Sequence, residues 1–112
     1  MTFKTVYTKE AIKFLMSLPE NARDKITYNI LKVAGGYMDA ELFKKSENSD
    51  IWEFRTLFNG IAYRLLAFWD TQNETLVIAT HGFIKKKQKT PAKEIAKAEE
   101  IRKQYFEQKN EK

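Results

Sequence analysis

The sequence predicts a single α+β domain over residues 1–112, with the element order β-α-α-β-β-β-α. In this arrangement a mainly antiparallel, twisted sheet packs on an N-terminal helical hairpin, and a further helix follows at the C-terminus. Three observations predict this fold. Two helical stretches are separated by a proline, three strand-like runs follow with Asn59-Gly60 between the first two, and a long helical pattern begins after Thr90-Pro91. A chain of 112 residues is long enough for one core but not for two.

The first third of the chain predicts one strand and two helices. Residues 3–7 alternate in polarity and contain strand-forming side chains, which indicates a short first strand. Thr8 is a suitable N-cap for a helix that runs to about residue 18. Pro19 separates it from a second helix over residues 20–34, and Gly35-Gly36 ends that helix, as glycine often does. We expect the two helices to form a hairpin.

The remaining elements are predicted mainly from turn signals. An extended segment begins at residues 42–45 and a polar turn covers residues 46–50. Three strand-like runs follow, over residues 51–58, 61–69 and 75–84. Asn59-Gly60 predicts a tight hairpin, because a type I′ turn requires positive φ at both central positions. Thr90 then offers an N-cap and Pro91 a first helical residue for a helix that runs to about residue 108.

Composition excludes several classes of protein. The chain has no cysteine and one histidine, His81, which excludes disulfide scaffolds, thiol catalysis and Cys/His zinc sites. Its apolar runs are too short to span a membrane and its N-terminus does not resemble a signal peptide, so we expect a cytoplasmic protein. The net charge of +5 favours a polyanionic partner.

The Asn-Gly hairpin places two arginines side by side. A two-residue turn puts Phe58 opposite Ile61 and therefore Arg55 opposite Arg64, on the face away from most of the apolar side chains. Like charges in directly opposed positions destabilise a sheet. Either Glu53, on the same face, neutralises the arginines, or the pair binds an anion such as phosphate, which suits the planar guanidinium. We favour the phosphate.

The next strand predicts that His81 joins this face. If residues 71–74 form a four-residue loop, His81 lies opposite Arg64, Val77 and Ala79 share its face, and Ile78 and Thr80 point to the core. A histidine in a strand is either a hydrogen-bonded structural residue or, beside arginines, a catalyst, and both interpretations stay open.

Lysines surround the predicted arginine pair. The run of residues 85–89 leaves the sheet near the Asn-Gly end and leads into the N-terminus of the last helix, which itself attracts phosphate. Lysines 44 and 45 lie on another side of the same surface. The predicted nucleic-acid contacts are Lys44, Lys45, Lys87 and Lys89.

Metal-free cleavage of RNA is the chemistry that remains. The chain contains no glycine-rich nucleotide loop, and Glu53 has no obvious carboxylate partner with which to bind a metal. Fixed arginines and lysines stabilise the charge that develops on a phosphodiester. RNA supplies its own nucleophile, the 2′-hydroxyl, so the protein needs only to orient it and transfer protons, through His81 or a lysine of lowered pKa.

The ordered motifs resemble the HigB branch of the RelE-like toxins. They are Trp52-Glu53-Phe54-Arg55, Tyr63-Arg64-Leu65, a segment from His81 through Lys85-Lys86 to Thr90-Pro91, and a helix with Glu94-Ile95. The resemblance implies a ribosome-dependent, metal-independent endoribonuclease that cuts mRNA and stops translation. It also implies a helix-turn-helix antitoxin of the HigA type. Carried over by motif, the catalytic positions are Arg55, Arg64, Lys85, Lys86 and, less uniformly, His81, with Glu53 as organiser of the arginines.

Two other functions stay open at this point. In the first alternative, the chain is a relative on the same scaffold that poisons DNA gyrase, as ParE-like proteins do. Such a protein needs no phosphate-cleaving arginine pair. A non-catalytic module that binds double-stranded RNA is the other alternative, because small α-β-β-β-α domains bind RNA by its shape and phosphates.

Overall fold

A computed structural model describes residues 2–73, 76–86 and 89–110 of the chain. Its elements are β1 (Lys4–Tyr7), α1 (Lys9–Met16), α2 (Glu20–Ala34), β2 (Phe43–Lys45), β3 (Trp52–Phe58), β4 (Ile61–Asp70), a 3₁₀ turn (Thr71–Asn73), β5 (Leu76–Lys85) and α3 (Ala92–Lys109). The predicted fold class is confirmed. The extended segment predicted at residues 42–45 forms a short extra strand, β2, whose Phe43 is buried opposite Phe54.

The five strands form one mixed sheet in the order β1-β5-β4-β3-β2. β1 runs parallel to β5, and the other neighbours are antiparallel. The parallel pair requires a crossover between β1 and the rest of the sheet, and the hairpin of α1 and α2 begins that crossover. Thr8 caps α1 as predicted, since its hydroxyl accepts a hydrogen bond from the Ala11 N–H at 3.2 Å.

Both faces of the sheet are packed against helices. The larger core lies between the sheet and the helical hairpin, and it includes Ile26, Ile30, Val33, Phe54, Leu65 and Val77. A second cluster lies under α3 and consists of Ile51, Leu66, Phe68, Ile78 and Ala98. The face that the sequence predicted to be open is therefore covered by α3 over much of its area, and its Asn59-Gly60 end extends beyond that cluster.

The predicted register is correct for one strand pair and wrong for the next. Arg55 lies opposite Arg64 and Phe58 opposite Ile61, as the hairpin predicted. In the β4–β5 pair His81 lies opposite Leu66, and not opposite Arg64. Strand β5 begins at Leu76, opposite Asp70, so the connection from β4 is one residue longer than the predicted four-residue loop, and Thr80 forms a bulge where the register shifts between Leu66 and Ala67.

The longer connection also reverses the predicted faces of the first half of β5. Val77 and Ala79 belong to the core beneath the helical hairpin, whereas Ile78 packs in the cluster under α3. The prediction for these three residues is wrong because it assumed a four-residue loop between the two strands. The extra residue at Thr80 returns His81 to the face that carries Arg64, since its partner Leu66 lies two positions after Arg64 in β4.

Candidate functional site

Three rows of side chains define the face of the sheet at the edge of α3. The row nearest the helix contains Lys44, Glu53, Leu66 and His81. The next row contains Arg55, Arg64 and Phe83. The row nearest the Asn59-Gly60 turn contains Leu57, Ala62 and Lys85. The cations therefore lie just beyond the cluster that α3 covers.

Arg64 is a buried cation with one incompletely satisfied nitrogen. Only 7% of its surface is exposed. Its Nη1 donates to the carbonyl oxygen of Tyr63 at 3.0 Å, and its Nε lies 3.4 Å from Glu53 Oε1 without forming a well-directed hydrogen bond. Burial lowers the pKa of Arg64, the charge of Arg55 lowers it further, and Glu53 opposes both. An arginine remains protonated under such a shift, so the site keeps a desolvated positive charge.

Arg55 is positioned by the segment that precedes β2. Its backbone N–H donates to the Leu42 carbonyl at 2.7 Å, and its Nη1 lies 3.4 Å from the Ala40 carbonyl oxygen. The buried Nε of Arg55 has no hydrogen-bond partner among the described residues. Within the described residues, neither arginine thus makes a well-directed hydrogen bond through its Nε, which is an arrangement that an added anion would satisfy.

Glu53 connects the arginine pair to two other segments. Its carboxylate accepts hydrogen bonds from Ser46 Oγ at 3.2 Å and from Thr90 Oγ1 at 2.9 Å, and it forms the ion pair with Arg64. The predicted helix-capping role of Thr90 is wrong: Pro91 is the N-cap of α3 and provides no side-chain hydrogen bond. The Thr90 hydroxyl bonds to Glu53 instead and fixes the start of α3 against the site.

A cleft of about 490 Å³ lies between β2, β3 and the first turns of α3. Its charged lining includes Lys44, Lys45, Glu53, Arg55, Lys85 and Lys89. Burial and the charges of Arg64, Arg55 and Lys44 lower the pKa of Lys85, while Glu53 acts in the opposite direction. This arrangement, which we call the first cleft, combines fixed cations with an amine that gives up its proton more readily than an ordinary lysine.

Two other predicted site residues, His81 and Lys86, do not line the first cleft. His81 is buried under α3, with 3% of its surface exposed, and its Nε2 lies 2.9 Å from Glu94 Oε1. Burial lowers the pKa of His81, a shift that its hydrogen bond with Glu94 opposes and the charge of Lys97 reinforces. Lys86 is exposed and is not part of the lining of this cleft, and Lys87 lies outside the described residues.

A second cleft of about 600 Å³, which sequence reasoning missed, lies on the other side of Arg55. Residues of α2 and of the segment after it line it, together with both arginines. The only sequence signal for this cleft was an aromatic residue, Tyr37, directly after Gly35-Gly36 and near the lysines of α2.

Within residues 2–73, 76–86 and 89–110, no group of three or more His, Asp or Glu side chains is arranged to bind a metal ion. No helix in the described part of the chain has both the length and the apolar character that crossing a bilayer requires.

Comparisons with known proteins identify the fold. Residues 13–103 match the family described as "Phage derived protein Gp49-like". A mutant of Escherichia coli RelE in the free state superposes with a TM-score of 0.63 at 16% identity, covering 91% of this chain and 98% of that one. The intact E. coli RelBE toxin–antitoxin complex gives a TM-score of 0.59 at 13% identity, covering 77% of this chain and 100% of that one. The Mycobacterium tuberculosis RelBE2 toxin–antitoxin complex gives 0.51 at 20% identity, with 76% and 100% covered. No curated protein is similar enough in sequence to match this chain.

Proposed function

Because the chain belongs to the Gp49-like family of phage-derived proteins and has the fold of the RelE toxins, we propose that it is the toxin of a toxin–antitoxin pair. Its activity is the cleavage of mRNA on the ribosome, without a metal ion, and its motifs relate it most closely to the HigB branch. The observation that carries this proposal is the pair Arg55 and Arg64, directly opposed in the sheet and each with a buried Nε that makes no well-directed hydrogen bond to the part of the chain that the structure describes. A protein gains nothing in stability from such a pair, whereas a phosphodiester supplies the missing acceptors.

The reaction requires no group beyond the RNA and the residues of the site. The 2′-oxygen attacks the adjacent phosphorus, a 2′,3′-cyclic phosphate forms, and the bond to the 5′-oxygen of the next nucleotide breaks. The two guanidinium groups stabilise the charge that develops on the phosphate oxygens. Lys85 in its neutral form takes the proton of the 2′-hydroxyl, and a protonated lysine of the first cleft gives a proton to the leaving 5′-oxygen.

The other predicted residues have supporting roles in this proposal. Lys44, Lys45 and Lys89 contact flanking phosphates, Lys86 extends the cationic surface, and Lys87 is retained as a proposed RNA contact from the sequence alone. Glu53 orients Arg64 through the contact at 3.4 Å. His81 stabilises the packing of α3 through Glu94 and does not touch the RNA, because its ring is buried.

A helix-turn-helix antitoxin of the HigA type is the proposed partner, and the bacterial cytoplasm, where translating ribosomes are found, is the proposed location. Two of the similar solved structures, RelBE from E. coli and RelBE2 from M. tuberculosis, are toxin–antitoxin complexes, which supports a partner of that general kind. A neighbouring reading frame whose product neutralises growth arrest would support it further.

Cleavage of a defined mRNA on purified ribosomes tests the proposal. We expect the wild-type protein to cut the message at mapped positions, and a single 2′-deoxynucleotide at the cut position to prevent cleavage there. Arg55→Ala and Arg64→Ala should each lower kcat/KM by about 10²- to 10³-fold, the usual loss for one group that stabilises an oxyanion. Arg23→Ala is the matched control, because Arg23 lies on α2 and its Nη1 contacts only the Leu18 carbonyl among the described hydrogen bonds.

Three outcomes would overturn the proposal. The first is a folded Arg64→Ala protein that cuts mRNA as fast as the wild type. The second is inhibition of DNA gyrase supercoiling with no cut mRNA, which indicates a ParE-like toxin. The third is RNA binding with no cleavage under any condition, which indicates a non-catalytic RNA-binding module.

A further inference from the structure

The second cleft has the lining of a nucleoside-binding site. We infer that it binds one nucleoside of single-stranded RNA, adjacent to the phosphate at Arg55 and Arg64, with the base stacked on Tyr37. This inference rests on the proposed function, because the proposed position of the phosphate determines which nucleoside reaches the cleft.

The second cleft is continuous with the arginine pair. Arg55 lines both clefts, and Arg64 lines the second one together with Thr56, Leu57 and Ala62. A strand whose phosphate contacts the two guanidinium groups therefore has one neighbouring nucleotide on the side of the first cleft and another on the side of the second. A volume of about 600 Å³ lies within the range of ordinary small-ligand sites, so a nucleoside fits there.

Tyr37 presents an accessible aromatic ring in the second cleft. Tyr37 is 51% exposed as a residue, and Lys32 Nζ lies 4.3 Å from the centroid of its ring. The lysine contact orients the ring while half of the tyrosine surface remains accessible. Leu57, which is 71% exposed, adds a second apolar surface to the same cleft. Aromatic side chains that are accessible beside cations are the usual means by which proteins bind single-stranded RNA.

The second cleft is lined by charged side chains of both signs. Lys25 and Lys32 join the two arginines as cations, whereas Asp39 and Glu41 line the same cleft as carboxylates. Asp39 Oδ1 already accepts a hydrogen bond from the Glu41 N–H at 2.9 Å, and the rest of its carboxylate keeps acceptor capacity. Carboxylates repel phosphate but accept hydrogen bonds from exocyclic amino groups of bases. The cleft is therefore suited to a base with an exocyclic amino group, which adenine, cytosine and guanine have, more than to uracil, and it is unsuited to an acidic peptide.

Binding of short RNA that cannot be cut provides the test. Octamers of adenosine, cytidine or uridine, methylated at every 2′-oxygen, lack the nucleophile, and their affinity for the full-length protein is measured by fluorescence anisotropy. We expect adenosine and cytidine octamers to bind more tightly than uridine octamers. Tyr37→Ala should weaken binding roughly 5- to 150-fold, the range for losing one base–aromatic stack, whereas Tyr37→Phe should keep the affinity.

Tyr28→Ala is the matched control for this test. Tyr28 also lies beside a lysine, with Lys25 Nζ 5.3 Å from its ring centroid, and it is 58% exposed, but it is not part of the lining of either cleft. An equal loss of affinity in Tyr28→Ala and Tyr37→Ala would overturn the inference. So would unchanged affinity in Tyr37→Ala, or wild-type protein that fails to bind any octamer.

Cleavage on the ribosome separates the failure of this inference from the failure of the proposed function. Wild-type protein that leaves ribosome-bound mRNA intact refutes the proposed function. If the wild type cuts mRNA and Tyr37→Ala binds the octamers normally, only the nucleoside site is refuted. Circular dichroism of Tyr37→Ala and Tyr28→Ala confirms that both variants are folded, which we expect because both side chains are more than half exposed.

Discussion

Removal of the buried ion pair from the candidate site should make the protein more stable and inactive. The perturbation is the double variant E53Q/R64M. Methionine preserves most of the volume of Arg64 in the row between Arg55 and Phe83. Glutamine at position 53 keeps an oxygen that accepts the Thr90 hydroxyl and gains an amide that donates to Ser46, so neither hydroxyl is left without a partner.

The magnitude follows from the charges that the double variant removes. At an effective dielectric constant of about 20, charges 3.4 Å apart, as in Glu53 and Arg64, attract by about 5 kcal/mol. Arg55 is directly opposed to Arg64 in the sheet, so the repulsion between the two arginines offsets part of this attraction. What remains of the attraction does not offset the desolvation of two buried ions, which costs several kcal/mol each. We therefore expect the free energy of unfolding to rise by about 1–4 kcal/mol.

The single variants complete the experiment. Arg64→Met leaves the Glu53 charge without its cation, and Glu53→Gln leaves the arginines opposed without a counter-charge, so each should be less stable than the double variant. Urea denaturation gives the four free energies of unfolding, and the ribosome assay gives the cleavage rates, with Arg23→Met as control. A double variant that is more than about 1 kcal/mol less stable than the wild type would show that Arg64 serves packing, and a double variant that still cuts mRNA would refute its role in cleavage.

Three further predictions concern Lys85, His81 and Gly82. The lowered pKa of Lys85 makes its amine neutral at a lower pH than an ordinary lysine, and the neutral fraction grows as the pH rises. The rate of mRNA cleavage should therefore increase with pH, and Lys85→Ala should flatten that profile. An unchanged slope in Lys85→Ala would contradict the proposed role of Lys85 as the base. The pKa of His81 is lower in the folded chain than in the unfolded one, so the unfolded state binds more protons. The free energy of unfolding should therefore fall as the pH drops below about 6.5. Urea denaturation at pH 7.5 and 5.5 measures this fall, which His81→Gln should reduce. A Cβ at Gly82 would lie 2.1 Å from Cδ2 of Phe14, so Gly82→Ala should cost about 1–3 kcal/mol of stability, and adding Phe14→Leu should recover part of it; full stability of Gly82→Ala would show that α1 shifts freely.

Sequence reasoning succeeded where a short loop determines the arrangement. Asn59 and Gly60 have φ values of 52° and 77°, the positive values that a type I′ turn requires. A two-residue turn leaves one register for the strands on either side, so the opposition of Arg55 and Arg64 follows from local chemistry alone. Helix α2 was predicted over the same residues, 20–34, because its apolar spacing ends at glycine.

The same reasoning failed where distant residues determine the geometry. Asp70 is fully buried at the end of β4 and bonds to Tyr105 and Lys109 of α3, which are more than thirty positions away, and β4 continues to this residue. Because Asp70 pairs with Leu76, the connection is one residue longer than predicted, and together with the bulge at Thr80 this changes the partner of His81 from Arg64 to Leu66. A local pattern contains no information on either effect.

The sequence by itself determined the fold class, the paired arginines and the cationic character of the surface, because these depend on composition, periodicity and one tight turn. Only the tertiary structure decided which residues α3 covers, that Thr90 bonds to Glu53, that His81 is buried against Glu94, and that a second cleft adjoins Arg55. Those features arise where side chains from separate elements compete for the same space and the same hydrogen-bond partners. That competition is settled by packing, which depends on the whole chain at once.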